Sequence, residues 1–141
     1  MKGYLLDTGI LLDLHKETAE RTSSVSSWFE TVDDTFLFTS VLVIGEIQRG
    51  IEITRKQDAQ HAEALDRWLQ GLTLHFADRI LPVTADIAAQ WGRFCANQKM
   101  PDIDGLLAAT ALLKDLTLIT RNPDDFAWSG ISVINPFNSA R

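Results

Sequence analysis

Three carboxylates and one amide stand where a parallel α/β fold would bring them together. The set consists of Asp7, which ends an apolar segment, Glu46 and Asp104, which lie in predicted helices, and Asn122, which follows a predicted strand. Carboxylates that share a site repel one another unless a cation is present. Magnesium and manganese ions prefer oxygen ligands of this kind. The residue types therefore indicate a site for a hard divalent cation.

Such a cation suits the chemistry of phosphate esters. It lowers the pKa of a bound water, binds a phosphate oxygen and stabilises the leaving oxygen. No histidine stands at metal-ligand spacing, and the sequence contains no GxSxG, Walker or GxGxxG motif. The residues thus predict hydrolysis of a phosphodiester without a covalent intermediate. Taken alone, they do not predict that the substrate is RNA.

Each candidate also has an ordinary structural interpretation. Glu46 is equally consistent with an exposed helical side chain. Asp104 and its neighbour Asp102 suit a helix N-terminus, where a carboxylate accepts backbone hydrogen bonds and opposes the helix dipole. Asp7 is the hardest to explain by structure alone, because it interrupts an apolar strand. The remaining candidates suit a polar turn: Asn122, Pro123, Asp124 and Asp125.

Short apolar strands alternate with helices along the chain. Strands are predicted at residues 3–7, 35–39, 80–83, 116–120 and 131–134. Helices are predicted at residues 10–14, 18–32, 41–51 (after a Ser40 cap), 59–74, 85–97 (after a Thr84 cap) and 103–114. This alternation predicts an α/β fold with a mainly parallel sheet. The functional site is then expected beyond the carboxyl ends of the strands.

Length and composition predict one globular domain over residues 1–141. The chain is 45% hydrophobic, and no apolar run approaches the ~20 residues that cross a bilayer. Asp7 and Asp13 interrupt the apolar N-terminal stretch, which argues against a signal peptide. Cys95 is the only cysteine and fits a packed core thiol in a reducing compartment. We therefore expect a cytoplasmic protein with no membrane association.

The net charge of −6 argues against nucleic-acid binding, because affinity for phosphates normally rests on basic residues. This argument weakens if the acids surround bound cations, each of which reverses the local field. A basic protein partner would also cover part of the acidic surface.

Several segments resemble the motifs of PIN domains. YLLDTGILLDL (residues 4–14) resembles their opening motif, and SVLVIGEIQRGIE (residues 40–52) resembles the helix in which a Glu precedes a Gly. MPDIDGLLAATALLKDLTLITRNPDDF (residues 100–126) resembles the DxLIAATA helix and the TRNxxDF turn. FADRILPVTADIAAQWGRF (residues 76–94) and INPF (residues 134–137) are similar to the VapC and FitB-like toxins. The resemblance spans nearly the whole chain.

The resemblance implies a three-layer fold around a mainly parallel sheet and Mg²⁺- or Mn²⁺-dependent endoribonuclease activity. By position, Asp7, Glu46 and Asp104 match the acidic metal-site residues, and Asn122 completes the catalytic set. Asp125 matches a turn residue. In the implied mechanism Asp7 and Asp104 bind the metal, Glu46 binds it directly or through water, and Asn122 orients a water. The RNA would be cut in single-stranded or loop regions, leaving a 5′-phosphate and a 3′-hydroxyl.

The resemblance also implies partners. A bacterial toxin of this kind has a cognate antitoxin, and operator DNA is reached only through that antitoxin. A homodimer is expected through apolar helix faces around residues 44–53 or 65–72, although both stripes are equally consistent with core packing.

One position departs from the family pattern. Gly9 stands where the family usually has Asn, which could support the carboxylates by hydrogen bonding. Thr8 or water would then take that role. The alternative is a catalytically weakened PIN domain that acts as a binding or co-repressor partner of its antitoxin. A phosphatase or phosphoacceptor domain also places an Asp after its first strand, but it would need an Asp where Gly9 stands or a Lys on a later strand end.

Overall fold

A computed structural model describes residues 2–20 and 24–137, in which strands and helices alternate. The strands are Tyr4–Leu6 (β1), Leu37–Ser40 (β2), Ile80–Leu81 (β3), Thr117–Ile119 (β4) and Val133–Ile134 (β5). The helices are Thr8–Glu20 (α1), Ser24–Phe29 (α2), Val41–Arg55 (α3), Ala59–Phe76 (α4), Ala85–Asn97 (α5) and Asp102–Lys114 (α6). Short 3-10 turns comprise Asp34–Phe36, Ala77–Arg79 and Pro123–Ser129. None of the described helices combines the length and the apolar character that a bilayer crossing demands.

The five strands form one sheet in the order β3-β2-β1-β4-β5, and every pair of neighbours is parallel. Leu5 in β1 lies opposite Phe38 of β2 on one side and Leu118 of β4 on the other. The predicted α/β fold with helices flanking a parallel sheet is confirmed. The chain runs from β1 to one edge and returns to β4, so the strand order reverses between β1 and β4. Ligands bind α/β sheets at such a switch point.

Two helical boundaries near the N-terminus were predicted wrongly. The first helix is not one or two turns at residues 10–14 but extends over Thr8–Glu20. The helix predicted at residues 18–32 does not form as one element. Its first residues belong to α1, and α2 comprises only Ser24–Phe29. Residues 21–23 lie outside the described residues. The reason for the early start of α1 is a cap, because Asp7 Oδ1 accepts a hydrogen bond from Ile10 N at 2.9 Å.

The core lies between the sheet and the apolar faces of the helices. In the central strands, Leu5 and Leu118 are fully buried. The helical spacing of Val41, Ile44, Ile47 and Ile51 predicts one apolar stripe on α3. This prediction was partly wrong, because the helix buries Val43 with Ile47 and Ile51 and leaves Val41 44% exposed. Ile44 and Leu65 pack against the core at its margin. Most of the apolar stripes on α3 and α4 thus serve packing within the chain.

Candidate active site

Asp7 lies at the switch point, directly after β1. Its N–H donates to the carbonyl of Ile119 in β4 at 3.3 Å, which joins the ends of the two central strands. Its carboxylate caps α1 through Ile10 N. Asp7 therefore has a structural role that was not foreseen from the sequence, in addition to its candidate role as a ligand.

The surroundings of Asp7 disfavour its charged form. Burial raises the pKa of the Asp7 carboxyl above its ordinary value, and the nearby charges of Asp104 and Asp13 add to this effect. Hydrogen bonds from the Thr120 side chain and from Ile10 N act in the opposite direction but do not cancel it. The charged form of a buried carboxyl beside other carboxylates is unfavourable, and a bound cation would remove this penalty.

Glu46 reaches the same region from α3, a helix that Ser40 caps through Leu42 N at 3.1 Å. Thr8 Oγ1 donates to Glu46 Oε1 at 2.5 Å, a hydrogen bond between residues 38 positions apart. It ties the first residue of α1 to the middle of α3. Because the hydroxyl fixes one carboxylate oxygen, the other oxygen is oriented as well.

Asp104 occupies the first turn of α6 and is half-buried. Burial raises the pKa of Asp104, and the charges of Asp125 and Glu46 raise it further. The charge of Asp104 also raises the pKa of Asp7. Asp104 therefore interacts electrostatically with both Asp7 and Glu46. It also borders a cavity of about 360 Å³ together with Asp124 and Asp125.

Asn122 is less clearly part of this group. It is exposed, its N–H donates to Thr120 Oγ1 at 3.2 Å, and its side chain does not cap the 3-10 turn that follows. Asp125, interpreted from the sequence as a turn residue, borders the same cavity as Asp104, and its charge acts on that residue. The role predicted for Asn122 therefore stays a prediction.

The donor atoms fit a hard cation, although the ligands are not drawn together. Within residues 2–20 and 24–137, no three Asp, Glu, His or Cys side chains lie close enough to hold a metal ion as they stand. The charges of Asp125 and Glu46 disfavour the charged form of Asp104, a penalty that a bound cation would offset. All of the candidate ligands offer oxygen, which Mg²⁺ and Mn²⁺ favour. Asp7, Asp104 and Glu46 would have to approach one another around the ion.

The contacts that Thr120 and Arg121 make with the carboxylates were not predicted from the sequence. Thr120, at the end of β4, hydrogen-bonds Asp7. Arg121 Nε lies 3.2 Å from Asp13 Oδ2, a buried oxygen that receives no hydrogen bond from the described residues. The only signal in the sequence was position, because Thr8 and Thr120 each stand close behind a central strand.

Gly9 is exposed and lies beside the candidate site. A Cβ at this position would stand 3.8 Å from Asp7 Oδ1, an ordinary van der Waals distance. A side chain at position 9 would therefore have room next to the Asp7 carboxylate.

Two proteins of similar sequence are named as a toxin and as a ribonuclease. Toxin FitB of Neisseria gonorrhoeae is 27% identical over 143 residues, which cover 95% of this chain and 98% of FitB. VapC ribonuclease Y4jK of Sinorhizobium fredii is 26% identical over 142 residues, which cover 96% of this chain and 99% of the relative.

Solved structures share the fold. The crystal structure of FitAcB from Neisseria gonorrhoeae matches with a TM-score of 0.81 at 24% identity, covering 96% of this chain and 99% of that one. A toxin–antitoxin complex from Klebsiella pneumoniae matches with a TM-score of 0.66 at 28% identity, covering 95% and 98% of the two chains. The family profile described as PIN domain matches residues 4–127, which include Asp7, Glu46, Asp104 and Asn122. The chain belongs to the PIN-domain family.

Proposed function

We propose that this protein is a divalent-metal-dependent endoribonuclease, the toxin of a bacterial toxin–antitoxin pair that acts in the cytoplasm. The observation that carries the proposal is the position of Asp7 at the switch point of a parallel sheet, next to Thr8, whose hydroxyl donates to Glu46. The charge of Asp104 acts on Asp7 and raises its pKa. The similarity to a protein named VapC ribonuclease supports RNA as the substrate. The similarity to a protein named Toxin FitB supports the biological role.

The chain's own residues divide the work as follows. Asp7 and Asp104 would hold the Mg²⁺ or Mn²⁺ ion, and Glu46 would bind it as a third ligand or through water. Thr8 keeps the Glu46 carboxylate in place through its hydrogen bond. Asn122, after β4, orients the water that attacks the phosphorus. When bound, the ion lowers the pKa of water and offsets charge on the phosphodiester.

The partners follow from the same assignment. The complex from Klebsiella pneumoniae supports a cognate antitoxin, and a chain of net charge −6 favours a basic partner. Operator DNA is reached through that antitoxin. A homodimer would use the apolar residues that the helices leave exposed. Among them are Val41 and Ile53, 44% and 51% exposed on α3.

Turnover of RNA tests this function directly. Purified protein is incubated with total cellular RNA and Mg²⁺ or Mn²⁺, beside an EDTA control and the variants Asp104→Asn and Asp102→Asn. Asp102 provides the matched control, because it is an exposed aspartate in the same first turn of α6. We expect wild type and Asp102→Asn to cut RNA only with metal, leaving 5′-phosphate ends, and Asp104→Asn to be inactive. Equal cutting by Asp104→Asn and wild type would reject the proposal.

Gly9 favours a second candidate, a weakened enzyme that acts mainly as the binding partner of its antitoxin. The space beside Asp7 Oδ1 would accept an asparagine side chain. On this second proposal the wild type scarcely cuts RNA, whereas Gly9→Asn gains activity because its amide donates to the Asp7 carboxylate. Measurement of kcat/KM for wild type and Gly9→Asn distinguishes the two candidates. A wild type that cuts RNA as fast as Gly9→Asn contradicts the second candidate.

A further inference from the structure

A small cavity opens beside Glu46, and none of the described residues that line it also borders the Asp104 cavity. It has a volume of about 170 Å³ and lies where α1, α3 and α4 meet. Its wall is mostly apolar, and its lining includes Leu12, Glu46, Gly50, Thr54, Leu65 and Trp68. Because Glu46 belongs to both the cavity and the candidate active site, a group in the cavity lies next to the reacting phosphate.

Trp68 provides an aromatic wall that is held in place. Its ring lies against the imidazole of His15, with ring centroids 4.5 Å apart and planes tilted by 31°. Trp68 projects from α4 and His15 from α1, so the contact joins two elements that border the cavity. An aromatic ring fixed in this way favours a flat ligand, because ordering it costs little further side-chain entropy.

Gly50 keeps one side of the cavity open. Glu46, Gly50 and Thr54 follow one another at intervals of four residues on α3 and therefore share one face of that helix. Glycine in a helix interior is less favourable than alanine, and a Cβ at Gly50 would meet no atom within 4 Å. The absence of such contacts does not by itself identify a binding site, because a Cβ at Gly71 would also meet no atom within 4 Å. Gly50 differs because it lines the cavity beside Glu46.

The chemistry of the lining selects the occupant. No Lys or Arg is among the described residues that line the cavity, so it does not suit a phosphate. Apolar walls with a few polar groups, here the Thr54 hydroxyl and the Glu46 carboxylate, suit a neutral ring with hydrogen-bonding edges. Nucleobases stack on aromatic side chains when single-stranded RNA binds.

We propose that this cavity receives the base of a nucleotide adjacent to the scissile phosphate and thereby selects the cleavage site. The inference rests on the proposed ribonuclease function and assigns a substrate contact to Trp68 and Gly50. Gly50→Leu would fill the cavity, and the matched control Gly71→Leu introduces the same side chain at an exposed glycine of α4 outside this cavity. Thr54→Leu provides a second filling variant, and thermal melting verifies that each protein is folded.

The first test needs no catalysis. The four ribonucleosides are titrated into the protein while the indole N–H signal of Trp68 is followed by NMR, with Trp68→Phe to assign it. We expect at least one nucleoside to shift this signal in wild type and in Gly71→Leu, but not in Gly50→Leu or Thr54→Leu. The absence of a shift with every nucleoside in wild type, or an equal shift in the filled variants, would overturn the inference.

The second test uses cleavage of a short RNA with one abasic nucleotide placed next to the cut. We expect the missing base to lower kcat/KM about tenfold or more in wild type and Gly71→Leu, and to have no added effect in Gly50→Leu. A Gly50→Leu protein that cuts RNA normally but escapes its antitoxin would assign the cavity to a protein side chain and reject the base. If wild type cuts no RNA while nucleosides still shift Trp68, the proposed function fails and base binding stands.

Discussion

At the scale of single residues, Asp7 has to satisfy two opposing demands. Its carboxylate caps α1, yet burial and neighbouring charges raise its pKa. The folded chain therefore binds the Asp7 proton more tightly than the unfolded chain does. Stability contributed by this group is present at low pH and is lost as the pH rises above the ordinary aspartate pKa of about 3.9. When Asp7 ionises above its raised pKa, its buried charge opposes folding unless a cation offsets it.

Asp7→Asn should therefore stabilise the metal-free protein at pH 7. Asparagine caps a helix as well as aspartate does, and it carries no charge. We expect the melting temperature in EDTA to rise by about 2–4 °C, with the gain shrinking as the pH falls towards 4. Glu63→Gln, an exposed change on α4, is the control that should not alter it. A lower melting temperature for Asp7→Asn at pH 7 would contradict this account.

Thr8 is predicted to be a positioning residue that acts through Glu46. Thr8→Val removes the hydroxyl that donates to Glu46 Oε1, and hydrogen bonds to charged groups contribute about 1.5–3 kcal/mol. We expect kcat/KM for RNA cleavage to fall about tenfold. Thr8→Ser retains a hydroxyl and should keep most of the wild-type kcat/KM. If the methyl group of Thr8 were the important group, the serine variant would lose activity instead. Equal rates for the valine and serine variants would refute the prediction.

At the scale of elements, α3 and α4 form the pair that holds Glu46 and the adjoining cavity. Arg55 at the end of α3 contacts Glu52 within the helix at 3.0 Å and Asp66 of α4 at 2.7 Å. Asp58 caps α4 by accepting from His61 N at 3.0 Å. The helix pair is therefore aligned by side chains outside the candidate site.

Removal of the Asp58 cap of α4 should lower the free energy of unfolding without altering the carboxylates of the candidate active site. Asp58→Ala leaves His61 N without its acceptor, which costs about 1 kcal/mol and should lower the melting temperature by about 2–4 °C. Asp58→Asn keeps an acceptor and should melt close to wild type. Thermal unfolding followed by circular dichroism compares the three proteins, and an Asp58→Ala protein as stable as wild type would show that the cap is dispensable.

Local signals predicted some elements well and others poorly. The boundaries of α5 were predicted correctly, because Thr84 caps its start and Met100 and Pro101 follow its end. The N-terminal helices were not, because Asp7 was interpreted as the end of a strand and not as a cap. For the candidate site, family resemblance named Asp7, Glu46 and Asp104. Thr8 was predicted to support the carboxylates, but the partners that Thr8 and Thr120 bond depend on how distant elements pack.

At the scale of the whole molecule, topology concentrates the acidic groups. The reversal of strand order between β1 and β4 brings the ends of both central strands to one place. Asp7 lies there, and helices on either side of the reversal bring Glu46 and Asp104. The chain has a net charge of −6, which would repel RNA. Cations bound among the acidic groups would reverse the field at the site where the phosphate binds.

On the function proposed above, carboxylates separated by up to 97 positions form one cation site. Calorimetric titration with Mn²⁺ tests it most directly, using wild type, Asp7→Asn, Glu46→Gln, Asp104→Asn and the control Asp102→Asn. We predict that each of the first three variants weakens Mn²⁺ binding by about tenfold or more, whereas Asp102→Asn binds like wild type. Wild-type affinity in both Asp7→Asn and Asp104→Asn would contradict the claim and leave these carboxylates with structural roles only.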